Sequence, residues 1–161
     1  MDEKEIEKYF RSRDCVYYHE YPIAYSSIQW KDRVIVVVGG DCGSLAVYAL
    51  IRGAKFLYLY EKEEHLRKRF SEEVCKEFSI CDKVKMIAEW KGEPLIRGDV
   101  LIMDCEGCEN ALSVDQLKSY EQWCVAVHEW TEKKTELLSR LYGHKLRMVT
   151  PDFKEIVICN V

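Results

Sequence analysis

The stretch Arg33-Val-Ile-Val-Val-Val-Gly39-Gly-Asp-Cys-Gly-Ser44 decides the fold of this chain. Its first part, Val34 to Val38, is a continuous run of β-branched apolar residues, which is typical of a strand buried on both faces of a parallel sheet. A glycine-containing turn follows, and the segment from Ser44 to Arg52 then predicts a helix. A buried strand joined by a short turn to a helix indicates an α/β protein.

The alternation of strands and helices continues along the chain. We predict further strands at 56–60, 83–88, 100–103 and 124–128, and helices at 62–78, 114–120 and 131–142. Thr131 is the expected N-cap of the last of these helices, and Gly143 is its expected C-terminal stop. Strands that alternate with helices imply right-handed crossovers and a doubly wound sheet.

The chain closes on a predicted hairpin, whose strands at 145–150 and 154–161 flank the turn Pro151-Asp152-Phe153. Strands joined by so short a turn must be antiparallel, so one strand of the sheet is reversed. The predicted fold is therefore α/β: a Rossmann-like, doubly wound, mostly parallel sheet with a C-terminal antiparallel hairpin strand. We expect one domain over 1–161, with an N-terminal helix and aromatic connector at 1–32 and the core at 33–161.

Charge and hydropathy limit the partners that we expect. The 24 basic and 28 acidic residues are intermixed and give a net charge of −4, so no strongly basic face for nucleic acid is predicted. The charged opening segment, Met1 to Lys8, does not resemble a signal peptide, and no apolar run reaches the roughly 18 residues of a membrane span. We therefore expect a cytoplasmic protein with no nucleic-acid or membrane partner.

Eight cysteines are spread along the chain. Because no secretory signal is visible, we expect them to be mostly reduced, although the Lys, Glu, Val and Ile usage resembles that of thermophiles, in which intracellular disulfides occur. Cys105 and Cys108 form a C-x-x-C pair, but no second pair at ligand spacing accompanies it. Neither a zinc site nor a redox site is expected there.

The turn after the first strand carries Gly39, Gly40 and Gly43, which allow a ligand to approach the backbone closely at the start of a helix. Glu61 ends the next strand, close to the roughly 20-residue offset at which a carboxylate accepts hydrogen bonds from ribose hydroxyls. The pair predicts a nucleoside ligand.

The charge of Asp41 bears on which nucleoside ligand fits. A pyrophosphate site requires G-x-G-x-x-G, but counting from Gly39 places Asp41 and Ser44 where the second and third glycines belong. Asp41 would oppose phosphate charge and would attract the ammonium and sulfonium of S-adenosylmethionine. The turn therefore favours S-adenosylmethionine over NAD.

A second motif, Asp104-Cys-Glu106-Gly-Cys-Glu109, follows the predicted strand at 100–103. Ligands of open α/β sheets lie outside the carboxyl ends of the strands, so we expect its three carboxylates to point into the same crevice as Glu61. This motif resembles the Asp-x-Glu-Gly-x-Glu signature of FkbM-like methyltransferases, and the turn at 39–43 resembles the Gly-x-x-x-Gly turn of that family.

The resemblance covers roughly residues 33–130 and implies a class I methyltransferase fold that uses S-adenosylmethionine to methylate a hydroxyl of a small molecule or sugar. It implies that Gly39, Asp41 and Gly43 line the methionine portion, that Glu61 holds the ribose, and that Glu89 or Trp90 faces the adenine. The sequence departs from the family at Val37, where an acid is usual.

The candidate catalytic residues are Asp104, Glu106 and His128, because transfer to a hydroxyl requires alignment and removal of a proton. The carboxylates also suit a magnesium ion, but we predict no metal. Two alternatives remain open. One is a methyltransferase-like fold with little or no catalysis that acts as a binding module, in a homo-oligomer or with a partner protein. The other is an NAD-dependent oxidoreductase.

Overall fold

The computed structural model describes residues 2–13 and 15–161. In these residues, seven strands form one sheet. They are β1 (Val34–Val38), β2 (Phe56–Tyr60), β3 (Val84–Ile87), β4 (Val100–Met103), β5 (Gln122–His128), β6 (Lys145–Val149) and β7 (Glu155–Cys159). Their order across the sheet is β3-β2-β1-β4-β5-β7-β6. The strands fall within a few residues of the predicted ranges.

The direction of the strands confirms the predicted sheet. β1 pairs in parallel with β2 on one side and with β4 on the other, and β3 and β5 continue the parallel part. β7 is antiparallel to both β5 and β6, so it is the reversed strand of the closing hairpin. The order reverses direction between β1 and β4, which places the ligand crevice of such a sheet outside the carboxyl ends of these two strands.

Helices cover both faces of the sheet. They are α1 (Glu3–Arg11), α2 (Tyr21–Ala24), α3 (Ser44–Ile51), α4 (Glu64–Arg69), α5 (Cys75–Glu77), α6 (Val114–Leu117) and α7 (Lys134–Arg140). A π-helical segment, Phe70–Val74, joins α4 to α5, so the helix predicted at 62–78 forms with one irregularity. Among the described residues, no helix combines the length and the apolar character that crossing a membrane requires.

β1 is buried on both faces, as its uninterrupted apolar run predicts. Ile35 and Val37 pack into the larger cluster, together with α3 and the aromatic connector, whereas Val36 and Val38 pack into the cluster on the opposite face. All four side chains are almost fully buried. Because the strand is held by core on both sides, the turn that follows it has a fixed position.

The start of the last helix differs from the prediction. α7 begins at Lys134, and its N-cap is Lys133 rather than Thr131. The hydroxyl of Thr131 instead donates a hydrogen bond to the buried carboxylate of Glu109, so its polar group serves the site described below. α7 ends at Arg140 with Leu141 as its C-cap, two residues before the predicted stop, and Gly143 has a φ of +90° in the turn that follows.

The expectation of mostly reduced cysteines is wrong for this structure. The pairs are Cys15–Cys42, Cys75–Cys81, Cys105–Cys108 and Cys124–Cys159, and no cysteine of the described chain is free. An expectation based on the cellular compartment says nothing about which cysteines meet in the fold. Cys124 and Cys159, for example, are direct register partners across β5 and β7.

Candidate functional site

A cleft of about 720 Å³ opens at the carboxyl ends of the parallel strands. Eight of the ten predicted site residues line it: Gly39, Asp41, Glu61, Glu89, Trp90, Asp104, Glu106 and His128. They come from the ends of β1 to β5, which explains how residues so far apart in sequence meet. Gly40 and Gly43 are not part of this lining.

A side chain is excluded at each glycine of the turn, but by a different neighbour. Gly39 has a φ of +92°, and a Cβ there would stand 1.7 Å from the carbonyl oxygen of Asp104. A Cβ on Gly40 would meet the side chain of Leu59, and one on Gly43 would meet the ring of Phe70. Gly39 thus brings the ends of β1 and β4 together at the cleft, whereas the other two allow packing behind it.

Glu61 fixes the shape of the turn from the end of β2. Its side chain is only 6% exposed. One carboxylate oxygen accepts a hydrogen bond from the backbone N–H of Asp41 at 2.8 Å, and the other accepts one from the N–H of Glu63 at 2.8 Å. Each oxygen keeps a further acceptor position. The carboxylate is therefore held in one orientation and can still accept from a ligand in the cleft.

Asp41 adopts a φ of +48° at the tip of the turn. Its carboxylate accepts a hydrogen bond from the hydroxyl of Ser44 at 3.4 Å, and that hydroxyl also contacts the hydroxyl of Tyr21 at 2.7 Å. Burial raises the pKa of Asp41, and the backbone N–H of Cys42 opposes this shift. Asp41 is thus a partly buried acid that lines the cleft.

The cleft as a whole is strongly acidic. Its lining includes nine carboxylate side chains and only two lysines, Lys62 and Lys154. Clefts lined by one sign of charge concentrate ligands of the opposite sign. This lining favours a cationic ligand and disfavours a pyrophosphate or a nucleic-acid backbone.

Trp90 and Glu89 lie beyond the end of β3. Trp90 is buried at 3% exposure, and its indole N–H donates to the carbonyl of Glu93 at 2.7 Å. Glu89 forms an exposed ion pair with Lys91 at 3.4 Å. The ring of Trp90 is therefore a fixed apolar wall at this end of the cleft, and Glu89 is an exposed polar residue at its rim.

Glu109 does not point into the cleft, which corrects the expectation for the third acid of the 104–109 motif. It is fully buried behind His128, and its Oε1 atom lies 3.0 Å from His128 Nδ1 and accepts from the Thr131 hydroxyl at 2.5 Å. Its Oε2 atom accepts from the N–H of Gly107 at 2.7 Å. Glu109 therefore orients His128 rather than a ligand.

The charge state of His128 follows from this network. Burial alone would lower the pKa of His128, but its hydrogen bonds with Asp104 and Glu109 outweigh burial and raise the pKa to about 10. Burial likewise opposes the ionisation of Glu109, but hydrogen bonds from His128 and Thr131 lower its pKa to about 2. His128 is thus a cation at neutral pH in this arrangement, which makes it a poor general base.

Two further side chains complete the surroundings of His128. The hydroxyl of Tyr25, 1% exposed, donates to Asp104 Oδ2 at 3.2 Å, while Asp104 Oδ1 lies 3.4 Å from His128 Nε2. The ring of Trp130 stacks on the imidazole with a centroid distance of 5.2 Å. These contacts give Asp104 and the imidazole ring defined positions at the cleft wall.

Sequence reasoning missed Glu155. Its Oε2 atom lies 3.9 Å from His128 Nε2, and burial, followed by the negative charge of Asp104, raises its pKa to about 7. Glu155 opens β7 as the register partner of His128 on β5. The sequence does show a carboxylate at the start of an apolar strand. The position of Glu155 in the cleft, however, depends on which strand β7 pairs with.

The strand order, the single reversed strand and the cleft at the carboxyl ends together define the class I methyltransferase fold. The chain is similar to the crystal structure of magnesium protoporphyrin IX methyltransferase from Synechocystis PCC 6803 with bound S-adenosylmethionine, with a TM-score of 0.66 and 12% identity over 99% of this chain and 96% of that one. It is also similar to Aeropyrum pernix fibrillarin in complex with S-adenosylmethionine, with a TM-score of 0.60 and 15% identity over 83% of this chain and 69% of that one. No family model matches the sequence.

Two viral proteins are similar along almost their whole length. Uncharacterized protein 65 of Sulfolobus islandicus filamentous virus is 50% identical over 155 residues, which cover 96% of this chain and 97% of that protein. Uncharacterized protein 158B of Sulfolobus islandicus rod-shaped virus 1 is 47% identical over 156 residues, which cover 97% and 99%. The chain belongs to the family that these two viral proteins represent.

Proposed function

We propose that the cleft binds S-adenosylmethionine and that the protein transfers its methyl group to a hydroxyl of a small molecule or sugar. The observation that carries the proposal is the hydrogen bond from the backbone of Asp41 to Glu61, which joins the glycine turn to the acid after β2. In a sheet of this order, these two elements lie where a nucleoside ligand binds. The class I fold and the acidic lining support a cationic nucleoside.

Each part of the donor has residues suited to it. Glu61 has acceptor positions left for the ribose hydroxyls, and the buried ring of Trp90 offers an apolar surface for the adenine, with Glu89 at its rim. Gly39 leaves backbone exposed to the methionine portion, and Asp41 carries charge opposite to its ammonium. Val37 is fully buried in the core, so no acid at that position contributes.

The chemistry requires a proton acceptor beside the acceptor hydroxyl. S-Adenosylmethionine supplies a methyl group activated by the positive charge on its sulfur. The hydroxyl oxygen attacks that carbon as the carbon–sulfur bond breaks, and the bonding pair remains on sulfur in S-adenosylhomocysteine. The hydroxyl proton passes to a carboxylate, for which Asp104 and Glu106 are the candidates in the cleft.

His128 has a different part in this proposal from the one that its sequence position suggests. As a cation, it cannot take the proton, but its Nε2 atom lies 3.4 Å from Asp104 Oδ1 and holds that carboxylate in place. We propose it as a positioning residue for Asp104.

The FkbM-like substrate class, a hydroxyl of a small molecule or sugar, is supported by the 104–109 motif and by the acidic lining, which disfavours a nucleic acid.

Calorimetric titration of the purified protein with S-adenosylmethionine, S-adenosylhomocysteine and NAD tests the proposal. We expect micromolar binding of the first two and none of NAD, because Asp41 and its neighbours repel a pyrophosphate. Binding of NAD in preference to the others would replace the proposal with the oxidoreductase. If no heat and no thermal stabilisation result from any of the three, the second candidate, a binding module without the donor, is favoured; the buried Val37 is the observation behind it.

A further inference from the structure

Three side chains from three strands converge on one point of the cleft wall. Asp104 follows β4, His128 ends β5, and Glu155 begins β7. Because β7 runs in the opposite direction, its first residue lies at the same edge of the sheet as the last residue of β5. His128 Nε2 is 3.4 Å from Asp104 Oδ1 and 3.9 Å from Glu155 Oε2, and the three potential ligand atoms all lie within 4.8 Å of one another.

These separations suit a bound cation. In octahedral coordination with ligands at about 2.1 Å, neighbouring ligand atoms stand about 3.0 Å apart and opposite ones about 4.2 Å apart. The two measured distances fall within this range, so small rotations of the two carboxylates would close the site around an ion.

The hydrogen bonding behind the histidine is a second, independent observation. His128 Nδ1 contacts the fully buried Glu109, which Thr131 and the backbone of Gly107 hold in place. An N–H on Nδ1 directed at a carboxylate leaves Nε2 as the atom that faces the other two ligands. Metal-binding histidines are oriented in this way by a carboxylate, which also makes them better ligands.

We propose that Asp104, His128 and Glu155 bind a divalent first-row transition metal ion such as Mn²⁺ or Zn²⁺. One imidazole with two carboxylates favours such an ion over Mg²⁺, which prefers oxygen ligands alone. The ion takes the place of the proton on Nε2. Its remaining coordination positions face the cleft, where a hydroxyl bound to the ion loses its proton more readily. With Asp104 bound to the ion, Glu106 is the remaining candidate in the cleft for the proton acceptor of the proposed reaction.

The use of the ion in methyl transfer rests on the proposed function, but the binding of the ion does not. From the sequence, the carboxylates suited a magnesium ion but no metal was predicted, and Glu155 joins Asp104 and His128 only through the pairing of β5 with β7. The proposal therefore depends on the reversed strand of this fold.

The test is a titration of the full chain with MnCl₂ and with ZnCl₂ after removal of metals with a chelator. Calorimetry gives the affinity, and electron paramagnetic resonance counts the bound Mn²⁺. We expect one ion per chain and a loss of affinity of at least tenfold in Glu155→Gln and in Asp104→Asn. The matched control is Glu129→Gln, which removes the same charge from an exposed residue next to His128 and should bind the metal as the wild type does.

Two results would overturn the proposal. One is the absence of ion binding to the wild type at millimolar metal. The other is an equal loss of affinity in Glu129→Gln and Glu155→Gln, which would indicate general attraction by acidic surface. Circular dichroism and thermal unfolding establish that each variant is folded. A titration with S-adenosylmethionine in the presence of EDTA separates the two hypotheses. Donor binding without metal would support the proposed function even if the metal site fails, and metal binding without donor binding would support the metal site even if the proposed function fails.

Discussion

The carboxylate of Glu61 accepts a hydrogen bond from the backbone N–H of Asp41 at 2.8 Å, so the acid after β2 holds the turn after β1. Replacing Glu61 by Ala removes both this bond and the acceptor for the ribose. We expect Glu61→Ala to weaken S-adenosylmethionine binding by about 1.5–3 kcal/mol, the range for hydrogen bonds to a charged group. Calorimetry measures the change. Glu64→Gln is the control, because Glu64 is exposed and is not part of the cleft lining. Equal affinities of Glu61→Ala and the wild type would place the ligand elsewhere.

The close approach of Gly39 to Asp104 gives a prediction for stability. A Cβ on Gly39 would stand 1.7 Å from a backbone carbonyl oxygen at a φ of +92°. Gly143 has nearly the same φ, +90°, with no atom within 4 Å of its Cβ position. We expect Gly143→Ala to cost about 1–2 kcal/mol from the backbone conformation alone, and Gly39→Ala to cost about 1–3 kcal/mol more from the clash. Urea unfolding measures both, and equal losses would show that the turn can move away from β4.

The disulfide between Cys124 and Cys159 should stabilise the fold more than the one between Cys105 and Cys108. The first closes a separation of 35 residues across β5 and β7, and the second a separation of 3. The chain-entropy model gives about 4 kcal/mol for the first and about 1.5 kcal/mol for the second. Urea unfolding of the two double Cys→Ala variants compares them. A smaller loss for Cys124→Ala with Cys159→Ala would contradict the loop-length argument.

The parts of the fold that local patterns determine could be predicted from sequence. The run from Val34 to Val38 is apolar at every position because both of its faces are buried, and the residues after each parallel strand fall at one edge of the sheet by topology. This is why Asp41, Glu61 and Asp104, far apart in the chain, were correctly expected to share a cleft.

The parts that depend on pairing between distant segments could not be predicted. Glu155 reaches His128 only because β7 is reversed and pairs with β5 in one register. The orientation of Glu109 depends on Thr131, whose hydroxyl is equally suited to a helix cap. The cysteine pairs have the same origin, since spacing along the chain does not reveal which thiols meet.

The pair of His128 and Glu109 predicts a pH dependence of stability in protein freed of metal with EDTA. The pKa of His128 rises from 6.5 to about 10 on folding, so its contribution is complete below pH 6.5 and is lost as the pH rises through 10. The pKa of Glu109 falls from 4.5 to about 2, so its contribution is present above pH 4.5 and is lost as the pH falls through 2. The pair therefore stabilises the fold most between pH 4.5 and 6.5.

On the alkaline limb, the comparison of the wild type with His128→Gln isolates His128. Glu155, with a pKa of about 7, has largely finished titrating above about pH 8, and the tyrosines whose pKa burial raises, such as Tyr21 and Tyr25, add to the slope of both proteins. One proton held by the folded state and not by the unfolded state lowers the free energy of unfolding by about 1.4 kcal/mol per pH unit. Urea unfolding between about pH 8 and 9.5 should show at least this slope in the wild type, and the slope of His128→Gln should be smaller by that one-proton part. If the two slopes are equal, His128 is neutral in the folded protein, and the imidazole is free to act as a base toward the acceptor hydroxyl.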